Sequence, residues 1–218
     1  YKRELWLKRV NQFDFYDKKA IVKKATKALS KYFYNQFSLA DKAEIKNSII
    51  SVATFADRNN YESLEKLFAP TVKVDYTSAF GGKPQIVKTK DLMKSWASLL
   101  PGFDQTLHRI FNIKVTVRGQ KAFGFANVIA NHYIQGKFWQ VRGYYKYTFA
   151  KKSQWKITYM KFVLKKEVGS RSVLGLAVKA ASKNPCSYIL REKTKKAVRD
   201  FLVSLEKKDM ALFASVWH

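Results

Sequence analysis

Cysteine is almost missing from this chain: Cys186 is the only one in 218 residues. A lone thiol excludes an intrachain disulfide framework and any cysteine-rich metal site, and it suits a soluble protein of a reducing compartment such as the cytoplasm. Long apolar runs are also missing, so no transmembrane segment is expected, and no signal-peptide pattern opens the chain. The first residue is Tyr1 and not Met, which fits a removed presequence or an upstream region. Acidic residues are scarce. Only 16 Asp and Glu stand against 42 Lys and Arg, a net charge of +26. The basic excess runs along the whole chain and does not form a detachable tail. Such a field favours an acidic partner (nucleic acid, anionic lipid or an acidic protein), and it equally fits a soluble protein of a basic proteome.

What is present is core-forming material: 47% hydrophobic residues and 15% aromatic ones, which excludes a disordered basic arm. Ile45, Ile49, Ala53 and Asp57 recur every four residues, with Val52 and Ala56 beside them, so residues 44–58 read as a helix that Asn59-Asn60 breaks. A short helix through Leu64, Leu67 and Phe68 should end at Pro70. Val72, Val74 and Tyr76 alternate with Lys73, Asp75 and Thr77, the pattern of a half-buried strand, with Asp75 on the face opposite Tyr76. Gly81-Gly82 and Pro84 mark a turn, and residues 89–99 are helical up to Pro101-Gly102.

Strands follow. Ile113, Val115 and Val117 alternate up to Gly119. In the next strand Ala122, Gly124, Ala126, Val128, Ala130 and His132 share one face, and such small residues leave space beneath the helices, either filled by large side chains from opposite or left open as a cavity. Further strands run through 139–149 and 155–164, with Trp139, Tyr145, Tyr147 and Phe149 on one face as sheet core. Helices first and an antiparallel meander afterwards is an α+β order.

The flanks resemble parts of neighbouring copies of this unit. At an offset of 149, residues 48–69 align with 197–218: Ile49 falls on Val198, Val52 on Phe201, Ala53 on Leu202, Leu64 on Phe213, Leu67 on Val216, Phe68 on Trp217 and Asp57 on Glu206. More weakly, Tyr16 with Ile21-Val22-Lys23-Lys24 is like Tyr159 with Val163-Leu164-Lys165-Lys166. A repeat of this kind places His218 in mid-domain. The expected organisation is a basic flank at 1–42 (the tail of a preceding copy), one complete domain at 43–168, a linker at 169–187, and the helical start of a second, incomplete copy at 188–218. Within the flank, residues 18–36 form a basic amphipathic helix with Ile21, Ala25, Ala28 or Leu29, and Tyr32 on one side. It could rest on anionic membrane or RNA, or simply pack on the adjacent domain with its lysines solvated.

Ionisable side chains on apolar faces are costly without partners or a purpose, and Asp57, Tyr76, His108 and His132 all point towards one core. Taken singly, each has a plainer reading: Asp57 pairing with Arg58 or Lys66, His108 bridging a loop, His132 a satisfied core histidine. Together they carry a resemblance. The stretch TFADRNNYESLEKLFAPTVKVDYTSAF at 54–80, followed in order by Gly81-Gly82, LMKSWASLLPGFDQTLH at 92–108, ANH at 130–132 and RGYYKYTF at 142–149, resembles the SnoaL-like, scytalone-dehydratase-like branch of the nuclear transport factor 2-like superfamily. The resemblance covers residues 43–165. It implies a cystatin-like α+β roll, a curved antiparallel sheet wrapped as a cone around N-terminal helices, with a pocket at the wide end.

By that resemblance Asp57 is the carboxylate that orients the acid/base His108, Tyr76 polarises a carbonyl, and His132 binds the ligand. Ala56, Trp96, Phe80 and Tyr144 fall on the pocket. Two positions depart from the branch: Ala56 stands where it has a second tyrosine, and Tyr144 where it has an asparagine. No metal or nucleotide cofactor is implied, and no tight ligand spacing suggests a metal. The chemistry suits the residue types, because an imidazole can take a proton from carbon and return one to a leaving hydroxyl, and a phenol can donate to a forming oxyanion. Two functions stay open. One is a cofactor-independent dehydratase or cyclase-isomerase acting on a small hydroxylated cyclic ketone. The other is a ligand-binding or scaffold module docked on an acidic partner. Homo-oligomers, or pairing of copies within one chain, are expected in either case.

Overall fold

The structure is a computed structural model and describes residues 2–207. The chain divides into two units, residues 1–43 and 44–218. The first is helical from Lys2 onward, the leading stretch of α1 (Lys2–Asp57). Its Ile21, Val22 and Leu29 are exposed together with the neighbouring lysines. Residues 16–24 lie on this helix whereas residues 159–166 lie on a strand, so no shared element underlies the short likeness around Tyr16.

The second unit is the α+β cone. It opens with the end of α1, followed by α2 (Tyr61–Glu65), β1 (Phe68–Asp75), α3 (Thr77–Phe80), β2 (Gln85–Lys88) and α4 (Thr89–Ala97). A 3-10 turn at Leu100–Gly102 leads into β3 (Gln105–Arg118), β4 (Lys121–Ile134), β5 (Lys137–Lys151) and β6 (Trp155–Gly169), then α5 (Ser172–Lys183) and α6 (Ser187–Lys207). The six strands form one sheet in the order β2-β1-β6-β5-β4-β3. The long strands make an antiparallel meander, but β1 runs parallel to β6, a pairing that alternation alone does not reveal. Pro70 sits inside β1 and does not follow a helix. It lies where the β1–β6 register slips between Phe68 and Lys73, because proline cannot donate to a ladder. Helix α2 stops at Glu65, earlier than the apolar spacing implies. Asn60 caps its start by accepting from the Ser63 amide at 3.1 Å.

The repeat of four in α1 buries Ile45 and Ile49 fully, with Val52, Ala53 and Ala56 nearly so. They meet the small-residue face of β4, where a Cβ added at Gly124 would lie 2.7 Å from Ile49 Cδ1. Small residues there let the helix approach the sheet. Towards the other end of β4, Val128, Ala130 and His132 leave room for a hollow.

Residues 169–187 are not a linker. Helix α5 buries Val173, Ala177 and Ala181 on one stripe and joins the core around Val128, Trp139 and Phe162. Its docking is tight: a Cβ at Gly102 would lie 1.8 Å from the Ala177 carbonyl oxygen. Helix α6 is held at its start, where Tyr188 donates to Glu65 (3.0 Å) and Arg191 pairs with Glu62 (2.5 Å). Further on it exposes Val198 and Leu202, which align with the buried Ile49 and Ala53. The aligned positions Phe213, Val216, Trp217 and His218 lie outside the described residues. Among the described residues, no helix is long and apolar enough to cross a membrane.

Candidate active site

The hollow between the end of α1, α4, α5 and the inner face of the sheet is a cavity of about 270 Å³. Its wall is mainly apolar: Val52 and Ala53 from α1, Leu99 and Leu100 before β3, and Met160 and Phe162 from β6 are typical. Six of the residues singled out in the sequence, His108, His132, Tyr76, Ala56, Trp96 and Phe80, line it. Asp57 lies behind His108. Among the described residues, no Lys or Arg lines this cavity.

Asp57 closes α1, and β3 passes beside it. Its Oδ1 meets His108 Nδ1 at 2.6 Å and accepts from the Thr106 hydroxyl at 2.8 Å, while Oδ2 accepts from the His108 amide at 2.8 Å. Thr106 and His108 are i and i+2 on one strand, so both project to the same face and reach one carboxylate. Burial pushes the Asp57 pKa up, but the His108 ring and amide and the Thr106 hydroxyl outweigh it and hold the carboxyl below its usual value. With Nδ1 directed at the carboxylate, Nε2 is the free nitrogen of His108. Sequence reasoning missed Thr106; its signal was the i, i+2 spacing to His108.

His132 is buried on β4, its ring 5.0 Å from that of Phe103, 4.8 Å from Trp139 and 5.4 Å from His108. Nδ1 lies 3.4 Å from the Trp139 carbonyl. A carbonyl only accepts, so Nδ1 carries the proton, and in the neutral ring Nε2 is an acceptor. Burial and the neighbouring His108 push the His132 pKa down to about 4, against a smaller opposing effect of the Trp139 carbonyl and Asp57. His132 is thus a neutral acceptor near pH 7 and not a donor.

Tyr76 directly follows β1, at the N-cap of α3, and lines the cavity, where burial and the nearby Tyr145 keep its phenol protonated against the hydrogen bond from Trp96. Phe80 is on the rim, half-exposed, with the Arg171 guanidinium 5.5 Å over its ring. Tyr144 is not a pocket residue. It lies on the outer face of β5, stacked on Phe125 at 5.1 Å, with the Lys146 and Lys165 ammonium groups over its ring. Tyr145, one residue on, faces the cavity, as its place in the alternation Trp139, Tyr145, Tyr147, Phe149 requires. Burial and the Asp57 charge raise its phenol pKa, so it too is a donor. Leu174 of α5 completes the wall, a contribution hidden by reading that segment as a linker. Asp75 plays no part here: it pairs with Lys161 at 2.9 Å on the outer face. Among the described residues no cluster of three or more His, Cys, Asp or Glu could hold a metal ion.

A curved, unclosed sheet around helices is the cystatin-like fold, the fold of a nuclear transport factor 2-like protein among the similar solved structures. The chain belongs to the SnoaL-like domain family, whose model matches residues 38–161. Among solved structures, a protein from Kribbella flavida is similar at 24% identity and a TM-score of 0.57, covering 62% of this chain and 96% of its own. A candidate scytalone dehydratase from Novosphingobium aromaticivorans follows at 21% identity and 0.55, covering 63% and 92%. A hexachlorocyclohexane dehydrochlorinase, LinA type 3, from Novosphingobium barchaimii matches at 14% and 0.51, covering 61% and 92%. At these identities the likeness carries the fold. No curated protein matches the chain.

Proposed function

We propose that the cone is a cofactor-independent acid/base lyase or isomerase of the dehydratase or cyclase type, acting on a small, uncharged, hydroxylated cyclic ketone. One observation carries this reading: the 2.6 Å contact between Asp57 and His108 at an apolar cavity, which fixes the imidazole with one nitrogen free. A carboxylate so placed sets the tautomer and supports the imidazolium that forms when Nε2 takes a proton. Structural relatives named as a dehydratase and a dehydrochlorinase lend support, because both names denote eliminations.

In the proposed cycle His108 Nε2 takes the proton from the carbon beside the ketone. The C–H electron pair moves to the carbonyl oxygen, to which the Tyr76 or Tyr145 phenol donates. His108 then returns its proton to the hydroxyl on the next carbon, the C–O bond breaks, a C=C bond forms and water leaves. His132, an acceptor, takes a hydrogen bond from a ligand hydroxyl and does not hold the oxyanion. Without Lys or Arg among the described wall residues, carboxylates and phosphates are disfavoured, because their desolvation lacks a cation there to offset it.

The test is turnover of hydroxylated cyclic ketones, followed as the absorbance of the conjugated product, in the parent chain and in His108→Ala. Loss of turnover with retained ligand-induced thermal stabilisation is expected. An unchanged rate in the folded variant would refute the proposal.

A further inference from the structure

One ion pair outside the cavity ties together two parts of its mouth. Glu167 stands near the end of β6, opposite Val141 in the β5–β6 register and so on the cavity side of the sheet. Its carboxylate takes three donors. Trp139 Nε1 and Arg171 Nε both reach Oε1, each at 2.5 Å, and Arg171 Nη2 reaches Oε2 at 2.8 Å. The remaining guanidinium nitrogen, Nη1, donates to the Ala79 carbonyl at 2.7 Å, and the group lies 5.5 Å from the centre of the Phe80 ring. These two arms end on different walls. Trp139 is buried, with its ring 4.8 Å from that of His132. Phe80 lines the cavity yet is 56% exposed, which puts it at the entrance. Helix α3 is anchored before it at Ser78, whose hydroxyl donates to the Phe162 carbonyl at 2.8 Å and accepts from the Leu164 amide at 2.9 Å. After it come Gly81 and Gly82, at φ values of +72° and +75° that side chains rarely adopt, with open space where a Cβ would stand.

We infer that Glu167 and Arg171 are positioning residues of the ligand site: Glu167 holds the Trp139 indole against His132, and Arg171 holds Phe80 across the entrance, so the pair sets how long a ligand stays bound. The inference rests on the cavity being the ligand site proposed above. Neither residue lines the wall, so they act through the rings and not by touching the ligand. An ion pair with side chains 43% and 26% exposed adds little to stability. What a planar guanidinium forked on a carboxylate does supply is direction, which a lysine's point charge would not. With Phe80 across the entrance a bound ligand is also shielded from water, and fixed charges such as Asp57 act most strongly in a dry site.

The test uses the full chain, with 2-naphthol as an uncharged fluorescent probe and thermal melts as the folding control. Arg171→Met keeps the side-chain stem and removes the guanidinium. Stopped-flow release of the probe should then speed up on the order of tenfold, the low end for a hydrogen bond to a charged group. Phe80→Ala should do the same, and adding Arg171→Met to it should change nothing further, because the arginine acts through that ring. Glu167→Ala lets go of the indole as well. The His132 ring, followed by NMR, should then titrate well above the parent's value of about 4, as Trp139 loosens and water reaches it. Glu167→Gln keeps an oxygen for the indole and should leave that titration near the parent's. Folded variants with parent release rates and an unmoved His132 would overturn the inference, as would additive effects of the Arg171 and Phe80 changes. A parent chain that fails to bind 2-naphthol would count against the ligand reading itself, a different failure from parent binding with unaltered release in Arg171→Met. The His132 titration needs no ligand, and an unmoved value in Glu167→Ala would overturn the inference on its own.

Discussion

Asp57 grips His108 at two points, the ring Nδ1 at 2.6 Å and the backbone amide at 2.8 Å. The double contact ties the last turn of α1 to β3 and fixes both the position and the tautomer of the imidazole. Asp57→Asn keeps the shape but offers an amide nitrogen where a carboxylate oxygen stood, so the ring loses support for its charged form. Turnover should fall about 10²–10⁴-fold, the usual worth of a positioned acid/base group. KM should change far less than kcat, and steady-state kinetics on the substrate found with the parent chain separates the two.

His132 predicts a pH dependence of stability. Its folded pKa is about 4 against an ordinary 6.5, lowered first by burial and then by His108. Below pH 6.5 the unfolded chain takes up a proton that the folded one refuses. The contribution is therefore present in full above 6.5 and is lost as pH falls towards 4, about 3 kcal/mol in all. Urea unfolding at pH 7 and at pH 4.5 should show the loss, and His132→Gln should remove most of it. Asp75 acts in a different window. Burial raises its pKa, but Lys161 and Thr77 bring it down to about 2 from 3.8, so its contribution persists above 3.8 and disappears between there and about 2.

The packing of α5 gives a contrasting pair of glycine substitutions. At Gly102 a methyl group would meet the Ala177 carbonyl at 1.8 Å, and backbone cannot move aside cheaply. Gly102→Ala should cost on the order of 2–4 kcal/mol, at or above the upper range for overpacking. Gly175, inside α5, has nothing within 4 Å of its would-be Cβ. There alanine should stabilise by about 1 kcal/mol through helix propensity. Thermal melts of both variants decide whether α5 is an integral wall of the cavity. A Gly102→Ala protein as stable as the parent would mean that it is not.

Much of this was readable in the sequence because side-chain periodicity encodes facing directly. The stripe Ile45, Ile49, Ala53 and Asp57 and the small-residue face of β4 predicted the helix on the sheet, and left open whether the space beneath it is filled by large side chains or forms a hollow. That His108 meets Asp57 across 51 positions came from the family resemblance, since periodicity gives a face and not a partner. Tyr144 shows the reverse error: resemblance set it on the pocket, while the odd-numbered alternation of β5 already pointed Tyr145 inward. Helix α5 was missed although Val173, Ala177 and Ala181 repeat every four residues. Its small side chains make a weak apolar signal, and their burial depends on close approach to Gly102. The parallel β1–β6 pair joins residues more than 80 positions apart, beyond the reach of any local pattern.

Helix α6 tests the repeat. Val198 and Leu202 are 53% and 56% exposed, yet the offset of 149 aligns them with Ile49 and Ala53, which are 0% and 7% exposed. Apolar residues in those places suit a helix meant for the inner face of another cone. If α6 is such a first helix, its segment 197–206 should substitute for 48–57 in this unit. The chimera should fold with a cooperative melt, although Phe201 in place of Val52 and Leu202 in place of Ala53 both overfill buried contacts and should each cost roughly 1–3 kcal/mol. Adding Val198→Asp should then unfold the chimera, because the charge would be buried at the place of Ile49, whereas the same change in α6 of the parent chain should shift its Tm by less than a few degrees. Indifference of the chimera to the aspartate, or strong destabilisation of the parent, would show that α6 packs by rules of its own.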